Sequence, residues 1–246
     1  MQLIVAVILL AMPPCLLTDP RQQKSIEGKA TNLGKILFRD PFEKDTIGTI
    51  WRTNDKRRGV SGQSKIANGV LTVKRHPKAD HGAVIDTLVE FTNAVIEFRF
   101  QLTGKTGFNL VIDDNQCKTV HAGHICRVVI RPGFILLQDD KTGAMNLKLR
   151  NGPLKTANKA QRANLLKGTT HRVPTKLERD RWYTLKVEMI GKTMSVVLDG
   201  KTVGKLTSPG IGHSPKRDFG FTVLNDPVRF DDVIVRDLVN PKSSAR

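Results

Sequence analysis

Residues 182–206 read WYTLKVEMIGKTMSVVLDGKTVGKL, and their pattern decides the fold class. Tyr183, Leu185, Val187 and Met189 alternate with Thr184, Lys186 and Glu188. A period of two puts one set on a buried face and the other in water, as in a β-strand and not a helix. Gly191-Lys192 separates this strand from a second apolar run at 194–198. Asp199-Gly200 separates that run from a third at 202–206. Asp-Gly is a strong hairpin signal, because both central residues of the favoured two-residue turn take positive φ. The stretch therefore reads as two consecutive hairpins. Trp182 and Tyr183 are adjacent and face opposite sides, with Tyr183 on the apolar one.

The same pattern extends outward. Ile96, Phe98, Phe100 and Leu102 alternate with Val95, Glu97, Arg99 and Gln101, which predicts one buried and one wet face. Further short runs lie at 69–74, 83–88, 108–112, 127–131, 134–138, 219–224 and 232–237, and turn residues separate nearly all of them. So many short strands with few helices predict an all-β chain, a two-sheet antiparallel jelly-roll sandwich filling one domain at 35–239. One segment departs from the pattern. Residues 154–167 are rich in helix formers and are followed by Gly168, a residue suited to a helix C-terminus, so a short helix or ordered loop is expected there.

The chain has 246 residues, 39% hydrophobic and 26% charged, which excludes an intrinsically disordered chain. Residues 1–17 carry no charged side chain, and 3–11 are continuously apolar. Such a run is too short for a membrane-spanning helix and fits a secretory leader, expected at 1–18. A polar tail at 19–34, a second tail at 240–246, export, and a mature chain with no transmembrane segment complete this reading. Cys15 follows Met12-Pro13-Pro14, which does not make a lipoprotein motif. Two cysteines remain after the leader, Cys117 and Cys126, and an even pair in an exported chain predicts one disulfide.

The net charge is +17. Much of it is concentrated at 141–176, where Lys141, Lys148, Arg150, Lys155, Lys159, Arg162, Lys167, Arg172 and Lys176 occur with no Asp or Glu. A cationic insertion of this kind calls for a polyanion. The segment has no Phe, Tyr or Trp on which a base could stack, and with export this argues against nucleic acid. Residues 113–127, DDNQCKTVHAGHICR, form the densest polar cluster and connect two strands, where functional residues tend to sit. Within it His121 and His124 are candidates for acid/base chemistry. With Asp139 and Asp140 they are also candidates for a divalent metal, the one cofactor this pattern admits. His213 is a third candidate acid/base group. A Ser214–His213 catalytic pair fails, because sequence neighbours seldom point at each other and no nucleophile-elbow motif surrounds the serine.

Several strands together resemble a known family. They are 66–73 (IANGVLTV) after Trp51, 91–100 (FTNAVIEFRF), 181–187 (RWYTLKV), 197–201 (VLDGK) and 230–235 (FDDVIV). They resemble the 3-keto-disaccharide hydrolase domain of secreted bacterial proteins. That domain lies within the concanavalin-like jelly rolls that include laminin-G domains and family-sixteen glycoside hydrolases. The likeness covers roughly 36–238 and implies the fold, export and a carbohydrate-related role. The family's Asn-Ser-Gly segment does not follow Arg99, where residues 103–109 read TGKTGFN, and residues 219–226 read FGFTVLND in place of its LQDHG-type segment. The carboxylate motif of the family-sixteen hydrolases is absent too, so no catalytic residue carries over.

The first functional expectation is an exported, non-catalytic module that binds an anionic polysaccharide or the cell envelope through 141–176. The alternative is a divergent glycoside hydrolase or lyase acting on (keto-)sugars through His121 and His124. A structural role within a larger envelope assembly is the third, and the sequence sets no oligomeric state. With two Trp and one Tyr, few rings are available to stack on a sugar, and Trp51 and Trp182 are the main ones expected.

Overall fold

The computed structural model describes residues 33–53 and 62–238. The leader expected at 1–18 and the tail at 240–246 lie outside the described residues. Of the tail expected at 19–34, residues 33 and 34 are described and already belong to a strand.

Two antiparallel sheets enclose one core, as the alternating runs require. The larger sheet has the order β13 (Lys201–Thr207), β12 (Thr193–Leu198), β11 (Trp182–Ile190), β6 (Ala94–Leu102), β15 (Val228–Leu238), β4 (Val70–Arg75) and β3 (Gly62–Ala67), with β1 (Leu33–Asp40) also paired to β15. The smaller sheet has the order β10 (Thr170–Pro174), β9 (Phe134–Asp139), β8 (His124–Arg131), β7 (Phe108–Asp113), β14 (Lys216–Val223), β5 (Ala83–Phe91) and β2 (Arg52–Thr53). Strands distant in sequence lie side by side, β6 against β15 and β7 against β14, which is the crossed connectivity of a jelly roll. The predicted hairpin turns form. Asp199 and Gly200 have φ of +47° and +78°, and Asn68 and Gly69 have +52° and +72°.

The inner faces of both sheets contribute aromatic rings to one cluster. Phe221 of β14 stacks on Phe230 of β15 at 4.0 Å, Phe98 of β6 meets Phe221 at 5.0 Å, and Phe100 meets Phe108 of β7 at 5.2 Å. Such pairs add about 0.5–1.5 kcal/mol each beyond the area they bury. Tyr183 joins them as expected, stacked on Phe100, with its hydroxyl accepting from the Glu178 amide at 2.7 Å. Trp51 is wholly buried between Phe38, Phe42, Phe219 and Phe221, and its Nε1 donates to Asp40 Oδ2 at 2.8 Å. It is therefore a core residue and not a sugar platform.

Two expectations change in detail. Val95 and Gln101, expected in water, are buried because β6 is a central strand. Gln101 is satisfied there, donating to the Asp180 carbonyl at 2.6 Å and accepting from Arg229 at 3.0 Å. The helix expected at 154–167 is interrupted, forming α1 (Leu147–Asn151), α2 (Pro153–Thr156) and α3 (Lys159–Leu165). Asn158 ends the run by capping α3: it accepts from the Gln161 amide while the Gln161 side chain bonds back to the Asn158 amide.

Candidate functional site

A cleft of about 700 Å³ opens on the outer face of the smaller sheet. The strand register explains which side chains line it. Asp86 of β5 pairs with Gly220 of β14, Gly220 with Val111 of β7, and Val111 with Arg127 of β8. The next row runs from Leu88 through Asp218 and Asp113 to His124. Strict alternation would place His124 and Arg127, three residues apart, on opposite faces. A register shift between Ile112 and Asp113 prevents this: Ile125 and Cys126 both turn into the core, and His124 and Arg127 both face the cleft. A β-bulge commonly re-aims side chains next to a site in this way. Gly220 keeps the floor low, since a Cβ there would meet the Ile85 carbonyl at 2.4 Å and Asp86 at 2.6 Å.

His124 Nδ1 lies 2.8 Å from Asp113 Oδ1. A carboxylate oxygen accepts, so Nδ1–H donates and the neutral imidazole carries its lone pair on Nε2. His121 reaches the cleft from a short turn in which Ala122 and Gly123 have φ of +54° and +80°, and its ring centroid is 6.3 Å from that of His124. The turn is pinned by His121 N donating to the Met145 carbonyl at 2.8 Å and Leu147 N to the Thr119 carbonyl at 3.0 Å. Beside the cleft, burial and then the charges of Asp113 and Asp86 push the Asp218 carboxyl up to about 6, against the opposing pull of Arg52. Arg52 bridges Asp86 and Asp218.

The other candidate residues are placed elsewhere. Asp139 is buried and accepts from the Thr142 amide, the Thr142 and Ser208 hydroxyls and the Gly210 amide, so it ties the end of β9 to the turn at Pro209–Gly212. Asp140 is buried against Arg127 Nε at 2.5 Å and Gln138 Nε2 at 2.6 Å. Burial raises its pKa and the adjacent Arg127 opposes that rise. Among the described residues no three His, Cys, Asp or Glu side chains are placed to share a metal ion. His121 and His124 thus meet in the cleft without Asp139 and Asp140. His213 has both ring nitrogens occupied, Nδ1 by Lys141 Nζ at 2.6 Å and Nε2 by Asp114 Oδ2 at 2.7 Å. Burial works against ionised Asp114, but the hydrogen bonds from His213 and the Gln116 amide, with the charges of His213 and Arg217, hold its pKa low.

Lys141 is therefore spent on His213 and does not extend the basic surface. Lys148, Arg150, Lys155, Lys159, Arg162, Lys167, Arg172 and Lys176 are exposed, and none forms an ion pair with a described carboxylate. Arg150, Lys155 and Arg162 border a basin of about 500 Å³. The expected disulfide is not formed: Cys117 and Cys126 are both free thiols. Cys126 points into the core from the bulge, where burial pushes its thiol up to about 12, while Cys117 stays half-buried on the preceding turn with Sγ 3.3 Å from Thr119 Oγ1. On the aromatic side, Trp182 lies on the larger sheet under the Arg99 guanidinium at 4.9 Å, and Phe134 at the edge of the smaller sheet is covered by Arg172 at 3.3 Å.

Sequence reading missed Arg127, Asp86 and Asp218 as neighbours of the histidines. Arg127 sits at the end of the polar cluster 113–127, but only the bulge turns it to the cleft. A profile described as the 3-keto-alpha-glucoside-1,2-lyase-like domain matches residues 38–236. The chain belongs to that family. No curated protein matches it. Solved structures resemble this member of the 3-keto-alpha-glucoside-1,2-lyase-like family in fold. The laminarinase from Rhodothermus marinus is 10% identical, with a TM-score of 0.56 over 86% of this chain and 100% of that one. A Bacillus subtilis protein with a galectin-like fold is 13% identical, with 0.53 over 85% and 99%. The carbohydrate-binding module CBM66 from Bacillus subtilis is 13% identical, with 0.51 over 77% and 98%. The chain is thus a carbohydrate-related jelly-roll domain.

Proposed function

We propose that the cleft on the smaller sheet is an acid/base site that eliminates the C1 substituent of a 3-keto glycoside. The observation that carries this reading is the His124–Asp113 pair, 2.8 Å apart and facing His121 across the cleft. A ketone at C3 acidifies the proton on C2, and the glycosidic oxygen on C1 is then a β leaving group. His124 Nε2 takes the C2 proton, Asp113 holds the imidazole in orientation and stabilises its charged form, and the electron pair moves towards O3. When it returns, C1=C2 forms, the C1–O bond breaks, and His121 supplies a proton to the departing oxygen. No electrons enter or leave. The family description names a lyase of this bond, which supports the reading. A divalent metal, if bound, would find His121 and His124 in the cleft, where it could polarise the ketone; metal analysis of purified protein tests that.

The experiment is release of p-nitrophenol from its 3-keto-α-glucoside. Wild type is expected to turn it over and His124→Gln to lose about 100-fold or more, the usual scale for a general base. Equal rates for the two proteins would overturn the assignment.

A second reading is supported by the exposed cations at 148–176. They form a surface for an anionic polysaccharide or cell envelope, in a protein exported by the leader at 1–18. Binding there places the cleft on its polymer and does not replace its chemistry. The scarcity of free aromatic faces favours recognition by charge over ring stacking.

A further inference from the structure

We infer that Arg127 is the residue by which the cleft distinguishes a 3-keto sugar from the corresponding alcohol, with its Nη2 donating to the C3 oxygen. This rests on the elimination reading and names the group that would take the developing negative charge.

Three observations carry the inference. First, Arg127 Nη2 is buried and has no hydrogen-bond partner, although Arg127 lines the cleft. Buried donors are nearly always partnered, and leaving one unmade costs about 1–3 kcal/mol, so such a group calls for an acceptor that is absent from the folded chain alone. Second, the guanidinium is held in place. Its Nε is bonded to Asp140, which is wholly buried and held in turn by Gln138. The fork cannot swing to find another acceptor, which is the preorganisation an oxyanion site requires. Third, the bulge at Ile125 and Cys126 brings Arg127 to the same face as His124, so the base and the donor address adjacent atoms of one ligand.

The pairing with Asp140 also sets the specificity. A lone arginine would attract any anion, carboxylate or phosphate included. Arg127 and Asp140 together are neutral, so the site gains most from a group that is neutral on arrival and acquires charge during the reaction. A ketone becoming an enolate is such a group. As the C2 proton moves to His124, the C2=C3 bond forms and O3 gains the charge facing Nη2. As the C1–O bond breaks, C3=O re-forms and the charge leaves O3. A hydroxyl at C3 cannot follow this course.

Calorimetry tests the inference on the His124→Gln protein, which binds without turnover, using a 3-keto-α-glucoside and its parent glucoside. The keto compound is expected to bind at least about tenfold more tightly, the scale of one charge-assisted hydrogen bond. Adding Arg127→Lys, which keeps the charge against Asp140 and loses the fork, is expected to reduce the preference to within about threefold while leaving the parent glucoside's affinity unchanged. The double substitution Arg127→Gln with Asp140→Asn replaces the ion pair by a neutral pair and gives the same readout should the lysine variant fail to fold. A preference that survives both substitutions, or no preference at all in His124→Gln, overturns the inference. Turnover by wild type without Arg127-dependent preference would leave the elimination standing and remove Arg127 from it. Arg127-dependent preference without turnover would do the reverse.

Discussion

His124 owes its chemistry to one contact. Held by Asp113 through Nδ1, it offers Nε2 to the cleft, and Asp113→Asn is expected to lower kcat with little change in KM because the asparagine can hold the wrong tautomer. Steady-state kinetics with the p-nitrophenyl substrate checks this, and a KM effect alone would contradict it. Asp218 gives a second prediction, about pH. Its folded pKa of about 6 lies above the ordinary 3.8, so the folded state binds that proton more tightly. The stability this provides is complete below about pH 4 and lost as pH rises through 6. Asp218→Asn removes the ionisation, so its stability relative to wild type should rise by about 2–3 kcal/mol between pH 4 and pH 7, offset in part by loss of the Arg52 contact. Denaturant melts at the two pH values measure this, and a pH-independent difference would sink it. At this scale the sequence showed His121, His124 and Asp113 as one polar cluster, because they are close along the chain. Asp86 and Asp218 were not legible as partners, since only the sheet register makes neighbours of residues more than a hundred positions apart.

At the scale of elements, the alternation of 182–206 was sufficient for the three strands β11, β12 and β13, because a single buried face imposes a period of two. The same rule failed at β8. There a bulge turns two successive residues inward, and nothing in HICRVVIR marks it. The failure has two consequences, Arg127 in the cleft and Cys126 in the core. The pairing of Cys117 with Cys126, argued from compartment and parity, took no account of the inward side chain. Native alkylation of a chain starting at residue 19 is therefore expected to label Cys117 readily and Cys126 only after unfolding. Two thiols that resist labelling until a reductant is added would show that the bond forms after all. The insertion also has a local task. The backbone contacts from Met145 and Leu147 hold the His121 turn, so the start of the basic segment positions a residue of the cleft.

For the molecule as a whole, the net charge of +17 resolves into a surface. The exposed cations at 148–176 lie on and after the short helices, where no described carboxylate neutralises them, while Lys141 is committed to His213. Replacing Arg150, Lys155 and Arg162 by Gln is expected to abolish salt-sensitive retention on a sulfated polysaccharide while leaving turnover of the small keto substrate unchanged. Retention that survives the triple substitution would place the anionic surface elsewhere. The central claim concerns the cleft, and the most direct measurement follows the C2 hydrogen of a 3-keto-α-glucoside by NMR in D2O. Loss of the C2 proton together with C1–O cleavage, fast with wild type and absent above background with His124→Gln, is the predicted result. Cleavage that yields free keto-glucose with its C2 proton intact would contradict elimination.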